Sequence, residues 1–257
     1  MAKNDRIGRL IAILQEKNGA SIRELAGALN VTEMTIRRDL KMLSGTGKIN
    51  RVRGVAIYRP NQDETDRAPY NLQTEQHKNT REKERIGSAA AALVEPGDVI
   101  FLDMGTTSTA VAKHIPQNMQ ITVLCFSVNT MTEIQQKNVA QLIMSGGFYH
   151  KDTQTFECAE MMKMMRSRRA TKAFIVPAGV SMPLGLTCNS PYEVDIKKMG
   201  LDNALEKILL LDSSKFGKVS ASCFGDWDQI DKVITDEGIT EEWKAFFQER
   251  NIELIIA

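Results

Sequence analysis

The sequence predicts an α/β protein in two parts, an N-terminal winged helix-turn-helix followed by a larger domain built on a mostly parallel sheet. Three observations carry that prediction. Apolar residues recur at helical spacing near the start of the chain, positive charge is concentrated before Pro60, and short apolar runs alternate with helix-forming stretches from Arg81 onward. A chain of 257 residues has room for two cores, because domains commonly hold about 100–200 residues. With 42% hydrophobic and 25% charged residues it falls outside the disordered and collagen-like classes. Cys125, Cys158, Cys188 and Cys223 are widely spaced with no C-x-x-C pair, a pattern of reduced thiols rather than disulfides or a zinc site. No run approaches the roughly 18 apolar residues of a membrane span, and no apolar signal region follows Met1. The expectation is a cytoplasmic protein without a membrane partner.

The head is read as residues 1–58. Ile7, Leu10, Ile11 and Leu14 mark one face of a first helix, which stops near Gly19. Ser21-Ile-Arg-Glu24 has the form of a capping box opening a second helix to Leu29, and Asn30-Val31 makes the turn. Thr32 caps a third helix with Ile36, Leu40 and Leu43 on one side. Beyond Gly47, imperfect alternation around Gly54 predicts a small hairpin through Tyr58 that carries Arg51 and Arg53. Residues 1–60 hold twelve Lys and Arg against five acids, so the rest of the chain is net acidic. A basic module on an acidic body suits a polyanion partner. The third helix would offer Thr32, Glu33, Thr35, Arg37, Arg38 and Lys41 to a major groove, and the hairpin would add Arg51 and Arg53. Each arginine alone reads as a solvated charge; their concentration within three helices and a hairpin favours double-stranded DNA.

Residues 59–80 are polar with two prolines and read as a linker, with Tyr70 and Leu72 able to dock on the body. Residues 81–257 begin with an alanine-rich helix. Strands are predicted at 98–103, 121–126, 141–144, 172–176, 207–211, 232–235 and 253–256, with helices between most of them. Ligands in such sheets sit beyond the strands' carboxyl ends. The segments found there are Asp103-Met-Gly105-Thr106-Thr107, Ser127-Val-Asn129, Ser145-Gly146-Gly147, Pro177-Ala-Gly179 and Asp212-Ser-Ser-Lys215. Small residues admit a ligand to backbone N–H groups, hydroxyls and a helix start suit an anion, and Lys215 adds a positive charge. Together they describe a phosphate cradle. Asp103 and Asn129 suit sugar hydroxyls, although an aspartate there also caps turns. Glu193 and Lys197 are one helical turn apart and either reach the pocket or form a surface pair. His77, His114 and His150 stand apart, so no metal and no cofactor is expected. Met161, Met162, Met164 and Met165 read as a core stripe.

Val31-Thr-Glu-Met-Thr-Ile-Arg-Arg-Asp-Leu40, followed by Gly47-Lys-Ile-Asn-Arg-Val-Arg-Gly54, resembles the N-terminal signature of the DeoR family of bacterial repressors. Val55 departs from it, where a second glycine is usual. Residues 81–254 resemble that family's C-terminal effector domain, which is similar in fold to sugar-phosphate isomerases. The resemblance implies that Asp103, Gly105, Thr106, Thr107, Ser127, Asn129, Gly146, Gly147, Glu193, Lys197 and Lys215 line a pocket for a phosphorylated sugar effector. Pro177-Ala-Gly179 stands where isomerases carry Gly-Ala-Asp, and the missing acid argues against an enzyme. Segments 125–130, 146–150, 178–180 and 186–188 resemble a subfamily whose leading effector candidate is deoxyribose 5-phosphate. The family reading implies a homo-oligomeric repressor released from operator DNA by its effector. An activator of the same architecture, or an isomerase-like enzyme with a regulatory head, would share these features.

Overall fold

The computed structural model describes residues 3–17, 19–44, 49–52, 55–58, 71–139 and 141–257. The head contains α1 (Lys3–Lys17), β1 (Gly19–Ser21), α2 (Ile22–Leu29), α3 (Glu33–Ser44), β2 (Ile49–Val52) and β3 (Val55–Tyr58). The apolar stripes read from the sequence converge. Leu10 and Leu14 of α1 pack with Leu25 and Leu29 of α2, Ile36, Leu40 and Leu43 of α3, and Ile49 and Ala56 of the hairpin. The capping box forms: the Glu24 N–H donates to Ser21 Oγ at 3.1 Å and the Ser21 N–H donates to Glu24 Oε2 at 2.8 Å. Asn30 then adopts a left-handed φ of 50°, which ends α2 and turns the chain into α3. A strand absent from the sequence reading, β1, pairs antiparallel with β3, so the wing is a three-stranded sheet in the order β1-β3-β2. Asp39 is buried on α3 and accepts from Arg6 of α1 through both oxygens, at 2.7 and 3.3 Å. That bidentate pair fixes the first helix against the third.

The body runs α4 (Leu72–Glu75), α5 (Thr80–Ala91), β4 (Val99–Leu102), α6 (Thr106–His114), β5 (Thr122–Cys125), α7 (Val128–Gln135), β6 (Gln141–Met144), β7 (Phe148–His150), β8 (Thr155–Glu157), α8 (Ala159–Arg166) and β9 (Ala170–Ile175). It continues through β10 (Gly179–Ser181), β11 (Gly185–Cys188), α9 (Pro191–Asn203), β12 (Ala204–Leu210), β13 (Ser222–Gly225), β14 (Lys232–Thr235), α10 (Glu241–Glu249) and β15 (Glu253–Ile256). Seven of these strands form one sheet in the order β15-β14-β12-β9-β4-β5-β6. Every neighbouring pair is parallel. All seven coincide with the strands predicted from the sequence.

Helices α5, α6 and α7 bury Ile86, Val111 and Ile134 against one face of the sheet. Helices α8, α9 and α10 bury Met165, Ile196 and Phe247 against the other. Of the methionine run, Met162 and Met165 are buried and Met164 is exposed, as a core stripe requires. The chain builds outward from β4 in one direction, then returns to β4's other edge with β9. The order therefore reverses between β4 and β9, and adjacent loops there lead to opposite faces and open a crevice. A hairpin (β7–β8) and a small antiparallel sheet (β10-β11-β13) elaborate the crevice end. Neither was read from the sequence, because their strands are too short to show a period.

The stretch read as linker divides. Residues 59–70 lie outside the described residues, whereas α4 packs on the body. The Leu72 side chain is buried and its N–H donates to the Asp152 carbonyl at 2.9 Å. Asn79 Nδ2 donates to Asp212 Oδ1 at 2.8 Å.

Candidate functional site

Two surfaces gather the residues singled out above. In the head, α3 buries Ile36, Asp39, Leu40 and Leu43. The face left to solvent carries Glu33, Met34, Arg37, Arg38 and Lys41. Thr32 Oγ1 accepts the Thr35 N–H at 3.3 Å and lies 3.0 Å from Thr35 Oγ1, so these two hydroxyls close the start of the helix. Arg37 makes an exposed ion pair with Glu33 at 3.6 Å. Arg38 and Lys41 have no ion pair among the described residues. Their charge is fully available to a phosphate. The backbone of Arg51 is on β2, paired with Ala56, while Arg53 lies outside the described residues.

In the body, a cleft opens at the carboxyl ends of β4 and β9, at the reversal of strand order. Six of the eleven pocket residues line it: Gly105, Thr106, Thr107, Glu193, Lys197 and Lys215. Gly105 has φ 127°, a conformation that side chains rarely adopt, and no side chain caps the helix it opens. The first N–H groups of α6 are thus bare at the cleft, with the positive end of the helix dipole behind them. Lys83 of α5 and Lys215, in the short 3₁₀ turn Ser213–Lys215 after β12, bring two ammonium groups to the same space. Nearly all of Lys83 is buried, and burial pulls its pKa below the ordinary lysine value despite the nearby Asp212 charge.

Beneath the cleft lies a buried ion cluster. Lys197 Nζ donates to Asp103 Oδ2 and to the Val176 carbonyl, both at 2.7 Å, and lies 3.8 Å from Glu193 Oε2. Asp103 also accepts the N–H groups of Met104 and Val176, each at 2.8 Å. Both Asp103 oxygens are occupied and the residue does not line the cleft. The expectation of a sugar-hydroxyl contact gives way to a positioning role: Asp103 ties β4, β9 and α9 together. Burial would lower the Lys197 pKa, but the adjoining Asp103 and Glu193 charges outweigh it and hold it above the usual value. Glu193 is itself raised by burial, against the pull of Lys197. Its Oε1 accepts the Ser190 N–H at 3.0 Å, which makes it the third residue of a capping box on α9. The even choice between surface pair and pocket pair is thus resolved toward a buried pair.

The remaining pocket residues are placed elsewhere. Asn129 lines an adjoining recess with Lys83, Thr106 and Lys113. Ser127 is buried and its Oγ has no hydrogen-bond partner among the described residues, while its backbone bridges to Thr155. Gly146 and Gly147 are outside the cleft lining. A Cβ on Gly147 would collide with the Glu157 carbonyl, so a glycine is needed where the chain enters β7 beside the end of β8. Gly179 likewise backs onto Lys218. Sequence reading missed Leu72, Glu75 and Lys83, which line the cleft from the N-terminal side of β4, and Thr153 and Asn189, which reach it from the elaborations. Only the polar-apolar mixture around Leu72 hinted at docking.

All four cysteines are free. Burial pushes the Cys125 thiol up to about 12 and, with the Glu193 charge, the Cys188 thiol up to about 12. Neither is a nucleophile near neutrality. Among the described residues, no group of His, Cys, Asp or Glu is assembled as a metal site, and no helix is long and apolar enough to cross a membrane.

Residues 6–62 match the family profile described as a DeoR-like helix-turn-helix domain, and residues 78–237 match the DeoR C terminal sensor domain. The chain is 29% identical over 253 residues to the deoxyribose operon repressor of Escherichia coli, covering 98% of each. It is 32% identical over 240 residues to the lactose phosphotransferase system repressor of Streptococcus mutans, covering 92% of this chain and 93% of that one. Among solved structures, ribose 5-phosphate isomerase A from Methanocaldococcus jannaschii superimposes with a TM-score of 0.41 at 18% identity, over 54% of this chain and 55% of that one.

Proposed function

Since the chain belongs to the DeoR family of transcriptional regulators, we propose that it represses a sugar or nucleoside catabolic operon and leaves its operator when a phosphorylated sugar, deoxyribose 5-phosphate first among candidates, fills the cleft. The observation that carries the reading is the convergence of Lys83, Lys215 and the uncapped start of α6 on one cleft at the strand-order reversal. Two ammonium groups and bare N–H groups are a seat for a phosphate dianion. Glu193 and the Asn129 recess adjoin it with acceptors and donors for hydroxyls. The names of the E. coli and S. mutans relatives support a sugar-linked operon.

In this mechanism the α3 face enters a major groove, with Arg38 and Lys41 on flanking phosphates. A homo-oligomer of cytoplasmic chains holds two heads at the spacing of operator half-sites. The effector binds best to an arrangement in which that spacing is lost, and the difference in affinity sets the release, typically about 5–150-fold. On this reading the cleft works by binding alone: the strand-end acid, Asp103, is held by Lys197 and two backbone N–H groups and is not free to act as a base.

The test uses the full-length protein and duplexes from its own chromosomal neighbourhood at low ionic strength. Retention of one duplex and its release by deoxyribose 5-phosphate, but not by free deoxyribose, is the expected result. Changing Lys215 to Ala or Thr107 to Val should weaken sugar-phosphate binding while leaving duplex retention intact. Indifference to every duplex, or steady turnover of pentose phosphates by the protein, would overturn the reading.

A further inference from the structure

The cationic part of the cleft already faces an anion, and that anion belongs to the chain itself. Glu75 of α4 lines the cleft, with its Oε2 3.6 Å from Lys215 Nζ. Lys78 Nζ donates to Glu75 Oε1 at 2.7 Å, and Lys83 Nζ donates to the Glu75 carbonyl at 2.7 Å. Burial opposes ionisation of this carboxyl, but the three lysines prevail and hold its pKa below the usual carboxylate range. The helix bearing it is only four residues long, and among the described residues it is tied to the body by the buried Leu72, whose N–H donates to the Asp152 carbonyl, by Lys83 and Lys215 on Glu75, and by Asn79 beyond it on Asp212 and Ser214. In sequence, α4 is also the first described element after residues 59–70, which join the body to the DNA-binding head.

We propose that Glu75 is an internal occupant of the effector's anion seat. The phosphate of an incoming sugar phosphate competes with the Glu75 carboxylate for Lys215, and its arrival loosens Leu72–Glu75 from the body. This rests on the reading of the cleft as a sugar-phosphate site and adds the means by which filling it reaches the head. Two anions beside the same ammonium repel, so they cannot share the seat at full occupancy. A neutral sugar brings no competing charge, which makes the switch selective for the phosphorylated form. Residues 71–79 are covalently continuous with the connection to the head, so their release changes how far and in which direction the head is held.

The experiment compares the full-length protein with its Glu75→Gln variant by calorimetric titration of deoxyribose 5-phosphate and inorganic phosphate. Amide hydrogen exchange at residues 71–79 of the unsubstituted protein is followed with and without the sugar phosphate. The variant, freed of its internal competitor, is expected to bind both compounds more tightly, by about fivefold. Exchange at 71–79 is expected to rise on binding. Equal or weaker binding by the variant, or exchange that stays level or falls, overturns the competition while leaving the sugar-phosphate site standing. If the unsubstituted protein binds neither compound, the site reading fails and this inference fails with it. The exchange measurement needs no substitution, so a variant that folds poorly still leaves the proposal open to refutation.

Discussion

Lys197 is 1% exposed and Asp103 is fully buried, so each is tolerable only because of the other. Removing the carboxylate by Asp103→Ala leaves a core ammonium with the Val176 carbonyl at 2.7 Å and only the more distant Glu193 carboxylate, 3.8 Å away. The expected loss is about 3–5 kcal/mol, measurable by urea unfolding of the body. Glu193→Gln should lose under about 1 kcal/mol in the same assay, because glutamine can keep the capping bond to the Ser190 N–H. A comparable loss in both variants would refute the division between a salt-bound anchor and a helix cap. At the head, Arg38 is exposed and unpaired among the described residues, which suits a phosphate contact. Arg38→Ala should weaken binding to all duplexes alike and make the slope of log affinity against log salt shallower by about one. Loss confined to one duplex sequence would instead make Arg38 a base reader. The sequence indicated the types of these residues but not their partners. The sequence left Glu193 and Lys197 open between a pocket pair and a surface pair, because nothing local reveals that a strand-end aspartate 94 positions from Lys197 meets its ammonium.

Among the elements, α5 and α6 approach closely at Gly87. A Cβ there would come within 2.6 Å of the Ala110 backbone, whereas Gly27 on α2 has nothing within 4 Å. Gly87→Ala should therefore push two packed helices apart and cost about 1–3 kcal/mol. Gly27→Ala should stabilise the head by up to about 1 kcal/mol, since alanine loses less backbone freedom in a helix. Thermal unfolding of the two variants checks both signs. The elements most legible beforehand were those with a strong period or cap: the Ser21–Glu24 box, the α3 stripe, and the seven apolar strands. Those that escaped were β1, the β7–β8 hairpin, the β10-β11-β13 sheet and α4. Their strands and helix are only three or four residues long, too short for a repeating apolar pattern to stand out.

For the molecule as a whole, head and body have separate hydrophobic clusters, one drawn only from residues 7–56 and two drawn from residues 86–257. A ligand of the body should raise the unfolding temperature of the body's transition alone, by an amount that grows with its concentration and reaches about 2.7 kcal/mol at a hundredfold excess over its dissociation constant. Scanning calorimetry with a sugar phosphate tests this; a rise in a single transition shared by both parts would mean that they unfold as one unit. The sequence by itself determined the division into basic head and α/β body, the seven strands of the parallel sheet, the apolar faces of the head helices, and, through its motifs, the resemblance to the family. Apart from the family resemblance, which rests on specific motifs, those properties follow from composition and short-range periodicity, which act along the chain. Tertiary structure alone decided that β9 returns beside β4. That reversal brings Thr106, Lys83, Lys197, Lys215 and Glu75 to one cleft, because residues far apart in sequence meet only where the strand order creates a crevice.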